Sequence, residues 1–227
     1  MMFIVIDGLD GSGKGTQVKL LEENLKKLGK KVKVLDYPRY GEKSAFFVEK
    51  YLNGGYGKNV TAKQASIFYA LDRFDDSFNL EEDFTNYDYV ISNRYVSANM
   101  IHQTGKLTSE NERNQFLDWI YDLEFNIFGI RKPDKVIFLN VTPETSQKLV
   151  LKKDERGYLK DGKKMDLHEE DKNHLTNAYN AAMQVVKKYD WTKIDCEKNG
   201  EMRSIEEING EMRSIEEIND EILSYIL

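Results

Sequence analysis

The sequence predicts an α/β fold, a five-stranded parallel sheet with helices on both faces, and three observations carry that prediction. Short β-rich runs alternate with longer helical patterns along the chain. The first run, Met2–Ile6, leads directly into the glycine-rich stretch GLDGSGKGTQ (Gly8–Gln17), which opens an amphipathic segment. The 3 prolines, Pro38, Pro133 and Pro143, all fall at element edges, where a missing backbone N–H costs least.

Taken in order, the strands are expected at Phe3–Asp7, Lys31–Asp36, Tyr87–Ser92, Lys135–Asn140 and Trp191–Asp195, each followed by a helical segment. Ligands of such sheets gather beyond the carboxyl ends of the strands. The spacing therefore places Gly8–Gln17, Asp36–Tyr40, Asn93–Tyr95 and Asn140–Pro143 around one crevice. Near the C-terminus the decapeptide NGEMRSIEEI occurs twice, at Asn199–Ile208 and Asn209–Ile218. Two short copies cannot bury a face as a solenoid array does, so a tandem duplication of a surface segment is expected. The first copy, interrupted at Asn209–Gly210, reads as a loop with a turn of helix. The second runs into a helix with Ser214 as N-cap and a stripe of Ile215, Ile218, Ile222 and Ile226.

Composition narrows the function classes. A chain of 227 residues that is 40% hydrophobic and 32% charged fits one folded domain, 1–227, rather than a disordered segment. Its net charge of -6 offers nucleic acid no general attraction, so any polyanion must be held by local basic groups. The 1 cysteine, Cys196, excludes an internal disulfide and suits a reducing cytoplasm. The initial apolar run ends at Asp7, too short for a signal peptide, and no run could span a bilayer, so neither secretion nor a membrane partner is expected.

The glycine-rich stretch matches G-x4-G-K-[ST], except that Gly15 stands where Ser or Thr is usual. Strand, glycine loop and helix start together make a phosphate cradle, in which backbone amides and the helix dipole face the anion. Gly11, Ser12, Gly13, Lys14, Gly15 and Thr16 are the expected contacts with a nucleoside triphosphate. Lys14 supplies a cation for the terminal phosphates and Thr16 a hydroxyl near a bound magnesium ion. A GTPase switch is disfavoured. No N-K-x-D motif is present, and the D-x-x-G match Asp154–Gly157 lies in a basic loop rather than at a strand end.

Four further groups fall at or beside the crevice: YPRY (Tyr37–Tyr40), FYALDRF (Phe68–Phe74), SNRYVSANMIHQ (Ser92–Gln103) and a basic loop at Lys152–Lys164. With these motifs, in this order, the chain resembles the thymidylate kinases, nucleoside-monophosphate kinases of the P-loop class, and the bacterial members in particular. The resemblance implies a three-layer P-loop NTPase fold, transfer of the ATP γ-phosphoryl group to dTMP, Mg2+ as the accompanying ion, and a homodimer. No apolar stripe legible in the sequence argues for self-association independently. Such a transfer needs two polyanions held in line and their charge stabilised, which suits arginine, whose guanidinium can chelate two phosphate oxygens.

The same resemblance distributes the roles. Arg94 matches the arginine of a D-R-[YH] motif that contacts phosphate at the transfer site, and Asp10 a carboxylate that meets the sugar 3′-hydroxyl. Arg39 lies beside the family's phosphate-binding arginine position, which Tyr40 occupies. Phe68 or Tyr69 corresponds to an aromatic that stacks on thymine, and Arg73 to an arginine that hydrogen-bonds the base. Asn99 matches a reader of the thymine edge, and His102 a ring near the sugar that disfavours a ribose 2′-hydroxyl. His168 and His174 read as packing residues. Lys152–Asp166 looks like a mobile lid, and Arg156, its one arginine, becomes the candidate for stabilising charge on the transferred group, because Gly11 stands where some members carry a catalytic arginine.

Gly15, Asn93 and Asn140 depart from the family pattern. Asn93 replaces the aspartate before the motif arginine, and Asn140 another strand-end aspartate. Losing two carboxylates near a magnesium site is expected to weaken the ion's hold, since hard cations prefer anionic oxygen. Ala98 removes a hydroxyl commonly present beside Asn99, though Ser97 is adjacent. A kinase for another deoxynucleoside monophosphate stays open, because Asn99 and His102 do not fix the base. So does a weakly active nucleotide-binding module.

Overall fold

The computed structural model describes residues 1–57, 59–151, 172–198, 201–202 and 214–227. The basic loop Lys152–Asp166 with Arg156, together with His168, the side chain of His174 and most of the duplicated decapeptide, lies outside them.

Five strands form one parallel sheet in the order β2-β3-β1-β4-β5: β1 (Met2–Gly8), β2 (Val32–Asp36), β3 (Tyr89–Asn93), β4 (Lys135–Asn140) and β5 (Thr192–Asp195). Each strand falls within two residues of its expected position. Alternation along β1 explains why the sheet is covered on both sides, since successive side chains point to opposite faces. Ile4 and Ile6 point into a core with Val18, Leu21 and Leu25 of α1 (Lys14–Lys27). Phe3 and Val5 point the other way, into a core that includes Leu80 and Phe84 of α3 (Ala62–Asn86; α2 is Phe46–Leu52). On that second side also lie α4 (Val96–His102), α5 (Glu110–Tyr121) and α7 (Lys172–Lys188), while α6 (Pro143–Leu151) precedes α7. The layers are helix, sheet, helix.

The C-terminal helix α8 (Ile215–Ile226) packs on the first side. Ser214 caps it as expected, in a reciprocal box with Glu217, and Ile218, Ile222 and Ile226 are buried. The second decapeptide copy therefore gives the core an isoleucine, which a purely surface segment would not. Asn219 is buried beside them and fixes the docking. Its Nδ2 donates to the Gln17 carbonyl at 3.1 Å, and its Oδ1 accepts from Asn24 at 3.0 Å. Of the first copy, Glu201–Met202 pairs antiparallel with Glu197–Lys198.

Candidate active site

The chain leaves β1 at Gly8 and turns through Leu9–Gly13 before α1 begins. Gly11 and Gly13 both adopt a φ of 84°, which L side chains rarely reach, and a Cβ at Gly11 would lie 2.7 Å from the Ser146 carbonyl oxygen. Gly13 caps α1 without a side chain, so nothing competes for the helix's first amides. Lys14 is buried, and its ammonium donates to the Gly8 and Leu9 carbonyls at 2.9 and 2.7 Å. Gly15 and Thr16 stand exposed on the first turn. The loop thus holds the Lys14 ammonium on two of its carbonyls beside the start of α1, the end of a helix that favours an anion.

Arg94 follows the end of β3 in the left-handed region, with φ at 64°. That conformation is costly for a non-glycine residue and persists only where its surroundings over-determine it. Here they do. The Arg94 N–H donates to the Ile6 carbonyl at 3.0 Å, and its carbonyl accepts from the Ser92 hydroxyl. The side chain is thereby directed at Asp10, with which it forms an ion pair, and at His102, 2.9 Å from Nε2. A guanidinium can only donate, so Nε2 accepts and the ring proton resides on Nδ1. Burial works against the charge on Arg94, but Asp10 and then Asp7 outweigh it and hold the group protonated above its ordinary value. Asp7, fully buried at the end of β1, accepts from the Ser97 hydroxyl and the Gly8 N–H. Tyr40 and Tyr69 are near enough to act on Arg94 electrostatically.

A second network lies one helical turn along α3. Arg73 makes a two-pronged pair with Glu124, Nε and Nη2 each at 2.6 Å, and both side chains are buried. Asn99 Nδ2 donates to Glu124 Oε1 and to the Ser66 carbonyl, each at 3.1 Å. Burial opposes the charge on Arg73 and Glu124 more than restores it. Glu124 rides on a π-turn, Asp122–Ile127, that extends α5. Tyr69, half-buried, has its ring edge-on to Tyr51.

The remaining expected residues are placed differently. Phe68 joins an aromatic cluster, stacking on Tyr56 at 5.1 Å and Phe47 at 5.9 Å, so its neighbours in the structure are packing partners. Arg39 pairs with Asp72, Asp75 and Asp76 of α3 at 3.0, 2.6 and 2.7 Å. Its guanidinium anchors the YPRY loop to the helix. Thus Lys14, Asp10, Arg94, His102 and Tyr69 share one neighbourhood, Arg73 and Asn99 share Glu124, and Arg39 and Phe68 stand in structural clusters.

Sequence reasoning passed over Glu124 and Asp7. Asp7 had a readable signal, a carboxylate ending an apolar strand. Glu124 had only an indirect one: a buried arginine demands an acid, but no spacing says which of many acids meets it.

Among the described residues no group of three or more His, Cys, Asp or Glu could cage a metal ion. The strand ends instead offer isolated oxygens. Asn93 Oδ1 and Asn140 Oδ1 are buried without a hydrogen-bond partner, and Thr16 is exposed just after the phosphate loop. That donor set fits a hydrated ion carried on phosphate oxygens better than an ion held by protein alone. Beside Asn93 stands Asp36, whose carboxyl is pushed up by partial burial and pulled down by Asn93, Arg94 and Lys14.

Comparison with known proteins gives the family of the chain. Residues 6–207 match the family model described as thymidylate kinase. Thymidylate kinase of Mycobacterium tuberculosis (strain ATCC 25618 / H37Rv) is 33% identical over 145 residues, covering 63% of this chain and 67% of that protein. A probable thymidylate kinase of Methanocaldococcus jannaschii is 26% identical over 207 residues, 91% of each chain. The solved structure of thymidylate kinase from Candida albicans superposes with a TM-score of 0.69 at 16% identity, covering 99% of this chain and 90% of that one, a likeness of fold. By its motifs, its fold and these relatives, the chain belongs to the thymidylate kinase family.

Proposed function

We propose that the crevice described above performs the family's reaction, transfer of the γ-phosphoryl group of ATP to dTMP, with these residues in these roles. A phosphate oxygen of dTMP bonds to the γ-phosphorus as the bond to the β-phosphate oxygen breaks, giving dTDP and ADP. ATP lies on Gly11–Thr16 with Lys14 on its terminal phosphates. Arg94 takes the acceptor phosphate, steered by Asp10 and His102. Asn99 and Arg73, locked on Glu124, line the base side with Tyr69. Because these groups are bound before substrate arrives, little reorganisation remains for the transition state. Magnesium, as the ion accompanying ATP, would offset phosphate charge, with the Thr16 hydroxyl as a candidate ligand. Arg156, in the basic loop 152–166, is proposed on sequence grounds as the further cation for the transferred group, in one domain spanning 1–227.

The observation that carries this reading is Arg94. A residue in a costly backbone conformation, tied at both its amide and its carbonyl, aims its guanidinium at Asp10 of the phosphate loop. A coupled ADP-release assay with ATP and dTMP, dUMP, dGMP or dAMP tests it. Turnover is expected with dTMP foremost, and Lys14→Met is expected to lower kcat by about a hundredfold or more with an unaltered melting curve. Turnover by Lys14→Met at the parent rate rejects the assignment of the loop.

We also infer a homodimer in the cytoplasm. Ile67, Leu71, Phe74 and Phe78 form an apolar stripe along α3, with Phe78 73% exposed and Phe128 packed on Phe74 at 4.7 Å. Such a stripe calls for a covering partner, and a second copy of the chain supplies one. Buried Cys196, which forms no disulfide, suits a reducing compartment, and among the described residues no helix is long and apolar enough to cross a membrane.

A further inference from the structure

The motif that Arg94 belongs to begins with aspartate in the resembling family, and this chain has Asn93 there. The structure places a carboxylate one strand further out. Asp36, the last residue of β2, is the register partner of Asn93, and Asn93 Nδ2 donates to Asp36 Oδ1 at 2.8 Å. This orientation commits the amide nitrogen to Asp36 and leaves Asn93 Oδ1 a buried acceptor without a partner. Backbone bonds hold the pair in place, from Tyr37 N–H to the Asn93 carbonyl at 3.1 Å and from Arg94 N–H to the Ile6 carbonyl at 3.0 Å. Asp36 is solvent-accessible and lies within the fields of Lys14 and Arg94, two cations of the crevice.

The other departure, Asn140, has the same local geometry with a different outcome. Asn140 and Asp195 are register partners, with Nδ2 2.6 Å from Oδ1, and Asn140 Oδ1 likewise lacks a partner. Asp195, however, pairs with Lys193 at 2.9 Å. Its charge is matched on the outer strand, whereas the charge of Asp36 acts on the phosphate loop and the motif arginine.

We propose that Asp36 has taken over the role of the missing motif aspartate, holding from β2 the hydrated divalent ion that accompanies the nucleotide, with Asn93 as its bracket. The chemistry is complementary. Water bound to a cation is a strong donor, and the exposed Asp36 carboxylate presents acceptor oxygens to it, held in place by the Asn93 amide. The two asparagines are then not a simple loss of carboxylate from the site, because on the Asn93 side the charge has moved to the adjacent strand. This inference rests on the reading of the crevice as an ATP site.

The test is Mn2+ binding to the full chain at saturating ADP, followed by electron paramagnetic resonance, with metal-free ADP binding followed by calorimetry. Asp36→Asn keeps an acceptor for Asn93 and is expected to weaken Mn2+ binding by about tenfold or more without weakening metal-free ADP binding, since the loss of a negative charge beside the phosphate loop does not disfavour an anion. The double variant Asp36→Asn/Asn93→Asp returns the carboxylate to the motif position and is expected to recover the parent affinity. A merely structural Asp36 predicts no such recovery. Parent-like Mn2+ affinity in Asp36→Asn, or a folded double variant no better than the single one, overturns the inference alone. A parent chain that does not bind ADP overturns the site reading with it.

Discussion

Two buried charges set the behaviour of this chain at the residue scale. Arg73 and Glu124 are 3% and 0% exposed, so neither can lose its partner to water. Replacing one member strands the other in a medium of low dielectric, which costs far more than the pair contributes in place. Arg73→Met is therefore expected to lower unfolding free energy by about 3–5 kcal/mol, read from urea unfolding. Arg73→Lys is expected to recover only part of that, since an ammonium cannot match the two-pronged geometry. Lys106 gives the pH dependence. Burial pushes its ammonium down to about 8, although it donates to the Tyr51 hydroxyl at 2.6 Å. Below pH 8 native and unfolded chains both carry this proton, and the native state bears the cost of burying it. Between there and the ordinary lysine value of about 10.4 the unfolded chain binds more protons, so this group's effect is to raise stability with pH. Lys106→Met is expected to melt higher than the parent at pH 7, with the gain shrinking at pH 10. Parallel melting curves at both pH values check the sign.

Among the elements, α1 and α3 carry the site. The phosphate loop works because glycines at 11 and 13 take conformations that other residues rarely adopt. Gly15 differs: its φ is not positive, and a Cβ added there would meet no heavy atom within 4 Å. Its lack of a side chain is not a packing requirement. Gly15→Ser, which restores the usual motif residue, is expected to gain about 0.5 kcal/mol from helix propensity and to keep or raise kcat/KM. Melting temperature and the coupled assay measure both, and a loss of stability would mean that the helix start needs glycine. Helix α3 divides its labour around its circumference. Asp72 and Asp76 hold Arg39, Arg73 enters the buried network, and Ile67, Leu71 and Phe78 remain on the outside, with Phe74 half-buried between them and the core.

For the whole molecule, the sheet order puts β1 at the centre with β3 and β4 on either side. The phosphate loop, Arg94 and the Asn140 turn thereby converge at the carboxyl ends of the three inner strands. The outer stripe of α3 makes the assembly prediction. Phe78→Asp changes an exposed side chain, so it is expected to leave the melting curve of the isolated chain intact and to convert a dimer into a monomer in sedimentation velocity. A parent chain that sediments as a monomer at micromolar concentration removes the self-association.

Local pattern determined what depends on local physics. Alternating runs gave the five strands, Ser214 and its isoleucine stripe gave the last helix, and glycine spacing with one lysine gave the phosphate loop. These follow from periodicity, capping and allowed φ, which neighbours in sequence dictate. Partnership between distant charges was decided only by the tertiary structure. Arg39 and Arg73 look alike in sequence as arginines beside aromatic motifs, yet one meets three aspartates of α3 and the other Glu124, 51 residues away. Asn93 likewise reads as a lost carboxylate until the sheet register sets Asp36 against it. Coulombic and hydrogen-bond partners are chosen by distance in space, and parallel pairing brings together residues that no spacing along the chain relates.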